Sequence, residues 1–112
     1  MVVTACRLIF ARDAMNLAEF KRSLVKTKPP AGIAPALSAM WWAGKDQWET
    51  AHKIVMDAGG SDAAWVHAYL HRVEGDIDNA RYWYRQAQRP LSRKPPAAEW
   101  DAIVDTLLAG KP

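Results

Sequence analysis

Two stretches of the sequence carry the same pattern of small and bulky residues, and the second follows the first by 29 positions, as Ala80 follows Ala51. Small residues at such positions let two helices approach closely, whereas bulky residues fill the gaps between them. One helical hairpin cannot bury its apolar face alone, so copies of a hairpin stack on one another. We therefore predict two degenerate helical repeats, over residues 35–58 and 64–87.

Proline and glycine residues divide the rest of the chain into short segments with helical periodicity. A helix predicted over residues 17–26 ends before a pair of prolines, which lack the backbone N–H that a helix needs. A second flanking helix is predicted over residues 97–109, and no segment has the alternating pattern of a strand. We predict an all-α fold, a short array of antiparallel helical hairpins with five to six helices.

The first fourteen residues show neither the repeat nor the helical periodicity of the later segments. Asn16 and Glu19 have the spacing of a capping box, which marks the first clear beginning of a helix. We expect folding information to begin near Met15, with residues 1–14 as a weakly ordered N-terminal extension. Residues 15–112 are then a single helical domain, which suits a chain of 112 residues.

The second repeat has the residue spacing of a known family. Gly75, Ala80, Tyr84 and Ala87 follow one another at intervals of five, four and three residues, and Ala68 precedes them. This spacing resembles the second half of a tetratricopeptide repeat. The resemblance implies a helical scaffold that binds a peptide or protein on its concave side. The same region also resembles a group of small uncharacterised bacterial proteins, which implies no particular activity.

Charge and composition exclude several classes of protein. Residues 1–30 hold six basic and two acidic side chains, whereas the remaining residues hold nine basic and ten acidic ones, so the body is near neutral. A near-neutral body provides no general electrostatic attraction for nucleic acid. No apolar run approaches the roughly 20 residues of a membrane-spanning helix, and a single cysteine excludes an intramolecular disulfide. We expect a cytoplasmic protein without a membrane partner.

An aromatic set on the second repeat predicts a binding surface. Trp65, Tyr69 and Arg72 are spaced by four and three residues, so they share one helix face, which in the resembled family faces the groove. These residue types dominate binding energy at interfaces, although packing in the core of a small domain is the alternative. The predicted binding residues are Met40, Trp65, Tyr69, Arg72, His67 and His71.

From this surface we predict a non-enzymatic interaction module that binds a short peptide, a protein or a small ligand in an aromatic-lined groove. Self-association through exposed aromatic side chains stays open as a further use of the same surface. The prediction includes no catalytic residue, no metal and no cofactor, because the sequence contains no complete catalytic constellation.

Two histidines on the second repeat favour a different function. His67 and His71 are four residues apart, so they share one helix face, and Glu74 lies one turn further on. Two imidazoles and a carboxylate could bind zinc or another divalent ion, which makes a small metal-binding protein or enzyme the alternative. The structural interpretation is that both rings pack between helices. His52 is alone on the first repeat, and we expect it to be solvated.

A third function is suggested by arginines on the last helix of the repeats. Arg81, Arg85 and Arg89 recur every four residues, beside Tyr82 and Trp83. Arginine and aromatic side chains together can hold phosphates and stack on bases, which is typical of nucleic-acid binding. The competing interpretation is a solvated face that pairs with nearby acids, and an acidic peptide suits such a face better than nucleic acid does.

Overall fold

A computed structural model describes residues 15–110 of the chain. All regular secondary structure in this range is helical, which confirms the predicted all-α class. The helices are α1 (Leu17–Ser23), α2 (Pro35–Gly44), α3 (Trp48–Asp57), α4 (Ser61–Glu74), α5 (Ile77–Ala87) and α6 (Pro96–Leu108). The extension predicted over residues 1–14 lies outside the described residues. None of these six helices combines the length and the apolarity needed to cross a bilayer.

The two predicted repeats correspond to the hairpins α2–α3 and α4–α5. The two helices of each hairpin pack against each other, and α4 packs on both α2 and α3, so the second hairpin stacks on the first. Ala39, Ala51, Ala68 and Ala80 are all 0% exposed at these contacts. Their complete burial confirms that the small residues of the repeat lie between closely packed helices.

The first helix is shorter than predicted. Both bonds of the capping box between Asn16 and Glu19 form, so α1 begins as expected. It ends at Ser23 rather than at residue 26, because the chain turns there. Nζ of Lys45 donates to the backbone carbonyls that follow the helix, at 2.7 Å to that of Leu24 and 2.9 Å to that of Lys26. Val25, which lies within the predicted range of this helix, follows its actual end and is 86% exposed.

The last helix closes one side of the repeats. Trp100 Nε1 donates to the carbonyl of Met40 at 3.0 Å, which ties α6 to α2. The carboxylate of Glu99, on the same helix, pairs with Arg72 of α4 and accepts a hydrogen bond from the hydroxyl of Tyr84 on α5. The face of α4 that was predicted to line an open groove is therefore largely covered by α6.

Candidate metal centre

The hairpin between α3 and α4 brings three histidines together. His67 and His71 lie one turn apart on α4, and both side chains are buried. His52 lies on α3, which turns back onto α4 through Gly59 and Gly60. Gly60 has a φ of 99°, a conformation that favours glycine, and this allows the tight connection.

The three imidazole rings form one compact cluster, which we call the histidine cluster (His52, His67 and His71). The Nε2 atoms of His52 and His67 are 3.0 Å apart. One ring nitrogen from each of the three residues lies within 4.8 Å of the others. The 3.0 Å contact is a hydrogen bond between the two rings. It is also close to the separation of two ligand nitrogens on one zinc ion, because Zn–N bonds of 2.0–2.1 Å in tetrahedral geometry place them roughly 3.3 Å apart.

Two tryptophans hold the rings of the cluster in place. Trp48 stacks on His52 with ring centroids 4.6 Å apart, and Trp83 stacks on His67 at 4.0 Å. Trp48 is itself fixed, since its indole Nε1 donates to the carbonyl of Leu70 at 2.7 Å. The imidazoles are therefore confined between aromatic walls, which limits the reorganisation that a ligand would require.

A carboxylate sets the orientation of the third ring. Oε2 of Glu74 lies 2.7 Å from Nδ1 of His71. When Nδ1 carries the proton and donates to Glu74, Nε2 of His71 keeps its lone pair for a metal ion. Carboxylates in this outer position commonly fix the tautomer of a ligating histidine and raise its basicity. Glu74 therefore supports the cluster from outside.

The surroundings of His52 and His67 favour the neutral imidazole. Burial, followed by the proximity of His52 and His71, lowers the pKa of His67 to about 4. Burial also lowers the pKa of His52, with His71 adding to the effect and Glu74 and Glu49 opposing it. Since only the neutral imidazole has a lone pair to donate, His52 and His67 are in the metal-binding form at neutral pH.

The cluster differs from the site that the sequence predicted. The expectation that His52 is alone is wrong, because this half-buried ring lies against those of His67 and His71. His52 thus takes the third place that was assigned to Glu74. His71, Glu74 and Asp76 also bring ligand atoms within 4.8 Å of one another, but both carboxylate residues are exposed, and exposed acids are often this close without a metal.

The predicted aromatic groove is not assembled as expected. Met40 is 0% exposed, so the prediction that it lines a groove is wrong. Trp65 and Tyr69 line two separate clefts, the first beside Arg89 and the second beside Lys21. This separation arises because α6 packs between them and binds the α4 face through the ion pair of Glu99 described above.

The arginine stripe is also interrupted. Arg81 and Arg85 are exposed on α5, but the helix ends at Ala87. Gln88 adopts a left-handed conformation with a φ of 59°, and Arg89 turns back to lie over the ring of Trp65. The regular spacing of the arginines therefore does not extend along one helix face as far as Arg89.

Comparison with known proteins adds no relative. No family model matches the chain, and neither a curated protein nor a solved structure matches it. The geometry of the described residues is therefore the basis for the function proposed for this chain.

Proposed function

We propose that this chain binds one divalent transition-metal ion, with His52, His67 and His71 as its protein ligands. The observation that carries the proposal is the convergence of three imidazole nitrogens within 4.8 Å, two of them 3.0 Å apart, inside a hairpin. The aromatic walls and the Glu74 contact provide the support that ligating histidines have in metal proteins. This proposal replaces the ligand set that includes Glu74 with one that uses Glu74 as the orienting carboxylate.

The type of ligand narrows the range of metals. Imidazole nitrogens suit zinc, copper and nickel, whereas calcium and magnesium prefer oxygen ligands. Three protein ligands also leave at least one coordination position for water or another small molecule, as in zinc sites that keep an open position. We therefore expect selectivity for zinc or copper over magnesium and calcium.

Calorimetric titration of the full chain, produced without a histidine tag and stripped of metal, tests the proposal. Zinc chloride is expected to bind with one equivalent per chain at pH 7, and magnesium chloride is expected not to bind. The variants His52→Gln and His71→Gln each remove one ligand and are expected to weaken zinc binding severely. Asp57→Asn removes an exposed carboxylate at the end of α3 and is expected to bind zinc like the parent.

Circular dichroism shows whether each variant folds, so a loss of binding can be separated from a loss of structure. Binding of zinc by His52→Gln with the affinity of the parent would overturn the proposed ligand set. Absence of saturable zinc or copper binding by the folded parent would overturn the metal function itself. A rise in melting temperature with zinc concentration is a second expected result, because a metal that binds only the folded state stabilises it.

A further inference from the structure

A second site is suggested by a cleft that shares no residue with the histidine cluster. The cleft has a volume of about 490 Å³ and opens between α4, α6 and the segment that connects α5 to α6. Its lining includes Trp65, Arg89, Pro90, Leu91, Arg93 and Lys94. Basic side chains and an apolar wall therefore meet in one concave surface.

The guanidinium of Arg89 is held in place within this cleft. Its central carbon lies 3.7 Å from the ring centroid of Trp65, so the two planes form a cation–π contact. The backbone that carries it is also fixed, because the amide of Arg89 donates to the carbonyl of Tyr84 at 2.9 Å. A guanidinium whose face is stacked keeps its N–H edge for a planar anion, such as a carboxylate.

The charge of the cleft is positive. Within residues 15–110, no carboxylate forms an ion pair with Arg89, Arg93 or Lys94. Glu99, the acidic residue in the lining, is buried and already committed to Arg72. An anionic ligand therefore meets uncompensated positive charge, both at the fixed Arg89 and at the exposed rim.

The apolar side of the cleft indicates that the anionic group of the ligand is attached to an apolar group. Leu91 is 37% exposed, and Pro90 and Ala102 extend the same wall. A free inorganic anion would leave this wall in water, whereas an apolar side chain next to a carboxylate would cover it. A nucleotide fits less well, because Trp65 is 8% exposed and its accessible face is already occupied by Arg89, so a base finds no ring to stack on.

We infer that this cleft binds a short acidic peptide segment, in which a carboxylate that bonds Arg89 stands beside an apolar side chain that contacts Leu91. Arg93 and Lys94 attract further acidic residues of the same segment at the rim. The inference is independent of metal binding, since the two sites share no residue.

Fluorescence anisotropy of a labelled peptide tests this inference on the full chain. The probe is a short peptide with a central phenylalanine flanked by glutamates, and its matched control has glutamine at each glutamate. At about 150 mM salt, where long-range attraction is largely screened, the glutamate peptide is expected to bind at least about tenfold more tightly than the glutamine peptide, as loss of a charge-assisted hydrogen bond implies.

Two variants with the same loss of charge separate the cleft from general electrostatics. Arg89→Gln is expected to weaken peptide binding by about tenfold or more. Arg85→Gln, on the exposed face of α5 outside the cleft, is expected to leave it unchanged. Equal weakening by the two variants would overturn the inference, as would the absence of saturable peptide binding to the parent.

A third variant guards against a folding defect in Arg89→Gln. Leu91→Glu places a negative charge on an exposed wall residue and is expected to abolish binding of the acidic peptide without changing the helical circular dichroism. Retained binding by Leu91→Glu would overturn the site. A single-stranded oligothymidylate tests the alternative ligand. If it displaces the peptide and binds more tightly than the peptide does, the inference that the cleft binds an acidic peptide would be overturned in favour of nucleic acid.

Discussion

Nη1 of Arg72 donates to Oε1 of Glu99 at 2.7 Å, and this ion pair joins α4 to α6. Glu99 is 3% exposed, and its second oxygen accepts from the hydroxyl of Tyr84. Burial, together with this hydrogen bond to Glu99, raises the pKa of Tyr84 above its ordinary value, so the hydroxyl stays protonated as the donor. The buried carboxylate thus depends on partners from two different helices.

Removing the cation of this pair should destabilise the fold strongly. Arg72→Met leaves the Glu99 charge buried without its partner, which typically costs about 3–5 kcal/mol of the free energy of unfolding. Urea denaturation measures the loss. Arg81→Met, at an exposed position on α5, is the matched control and is expected to stay within about 0.5 kcal/mol of the parent. Equal stability of the two variants would show that the pair does not stabilise the α4–α6 contact.

The role of Glu74 predicts a graded effect on metal affinity. Glu74→Gln keeps the size of the side chain but weakens its hold on Nδ1 of His71, and loss of such outer partners commonly lowers metal affinity about 10–100-fold. Calorimetric titration with zinc should therefore show one equivalent bound with reduced affinity. A loss as severe as that in His71→Gln would instead identify Glu74 as a ligand.

The pKa of His67 predicts how stability changes with pH in the metal-free protein. The unfolded chain takes up a proton at this residue as the pH falls through about 6.5, whereas the folded protein does so only near pH 4. The free energy of unfolding should therefore fall between these two values, by up to about 3 kcal/mol from this residue, and level off below them. Urea titrations at pH 7 and pH 4.5 measure the change.

A variant isolates the contribution of His67 from those of the carboxyl groups that titrate nearby. In His67→Gln the loss of stability between pH 7 and pH 4.5 should be smaller than in the parent, because the variant has no imidazole at this position. The same pH dependence in both proteins would contradict the buried, neutral state assigned to His67.

Two glycines should respond differently to substitution by alanine. A β-carbon on Gly44 would lie 3.0 Å from Cζ2 of Trp100, which is buried and anchored to α2, so Gly44→Ala should destabilise the protein by about 1 kcal/mol or more. Gly59→Ala meets no atom within 4 Å and serves as the control, with little change expected. The melting temperatures of the two variants measure the difference. A higher melting temperature for Gly44→Ala than for the parent would show that Trp100 can shift without loss of stability.

Local features of the fold were readable in the sequence. The capping box at Asn16 and Glu19 forms, and Gly75 ends α4 in a left-handed conformation with a φ of 94°. The alanines of the 29-residue repeat are buried as predicted. The capping box and the glycine at the end of α4 depend on residues within a turn or two of one another, so short spacing is sufficient to specify them.

The sequence contains a feature that predicts the histidine cluster, but it is not the spacing of residues on one helix. His52 and His67 are equally far along the chain from the turn at Gly59 and Gly60. Two antiparallel helices that meet at a tight turn place such residues side by side. The spacing of His67 and His71 on one helix indicates Glu74 as the third ligand, because it contains no information about the histidine across the hairpin.

The sequence by itself determined the helices, most of their ends and the small residues between them, because periodicity and capping act over a few residues. Only the tertiary structure decided which faces meet solvent. Arg72, Tyr69 and Trp65 share one helix face whether or not anything covers it, and α6 covers it through a carboxylate 27 residues from Arg72. Contacts between such distant residues follow from how whole helices pack, which no local pattern specifies.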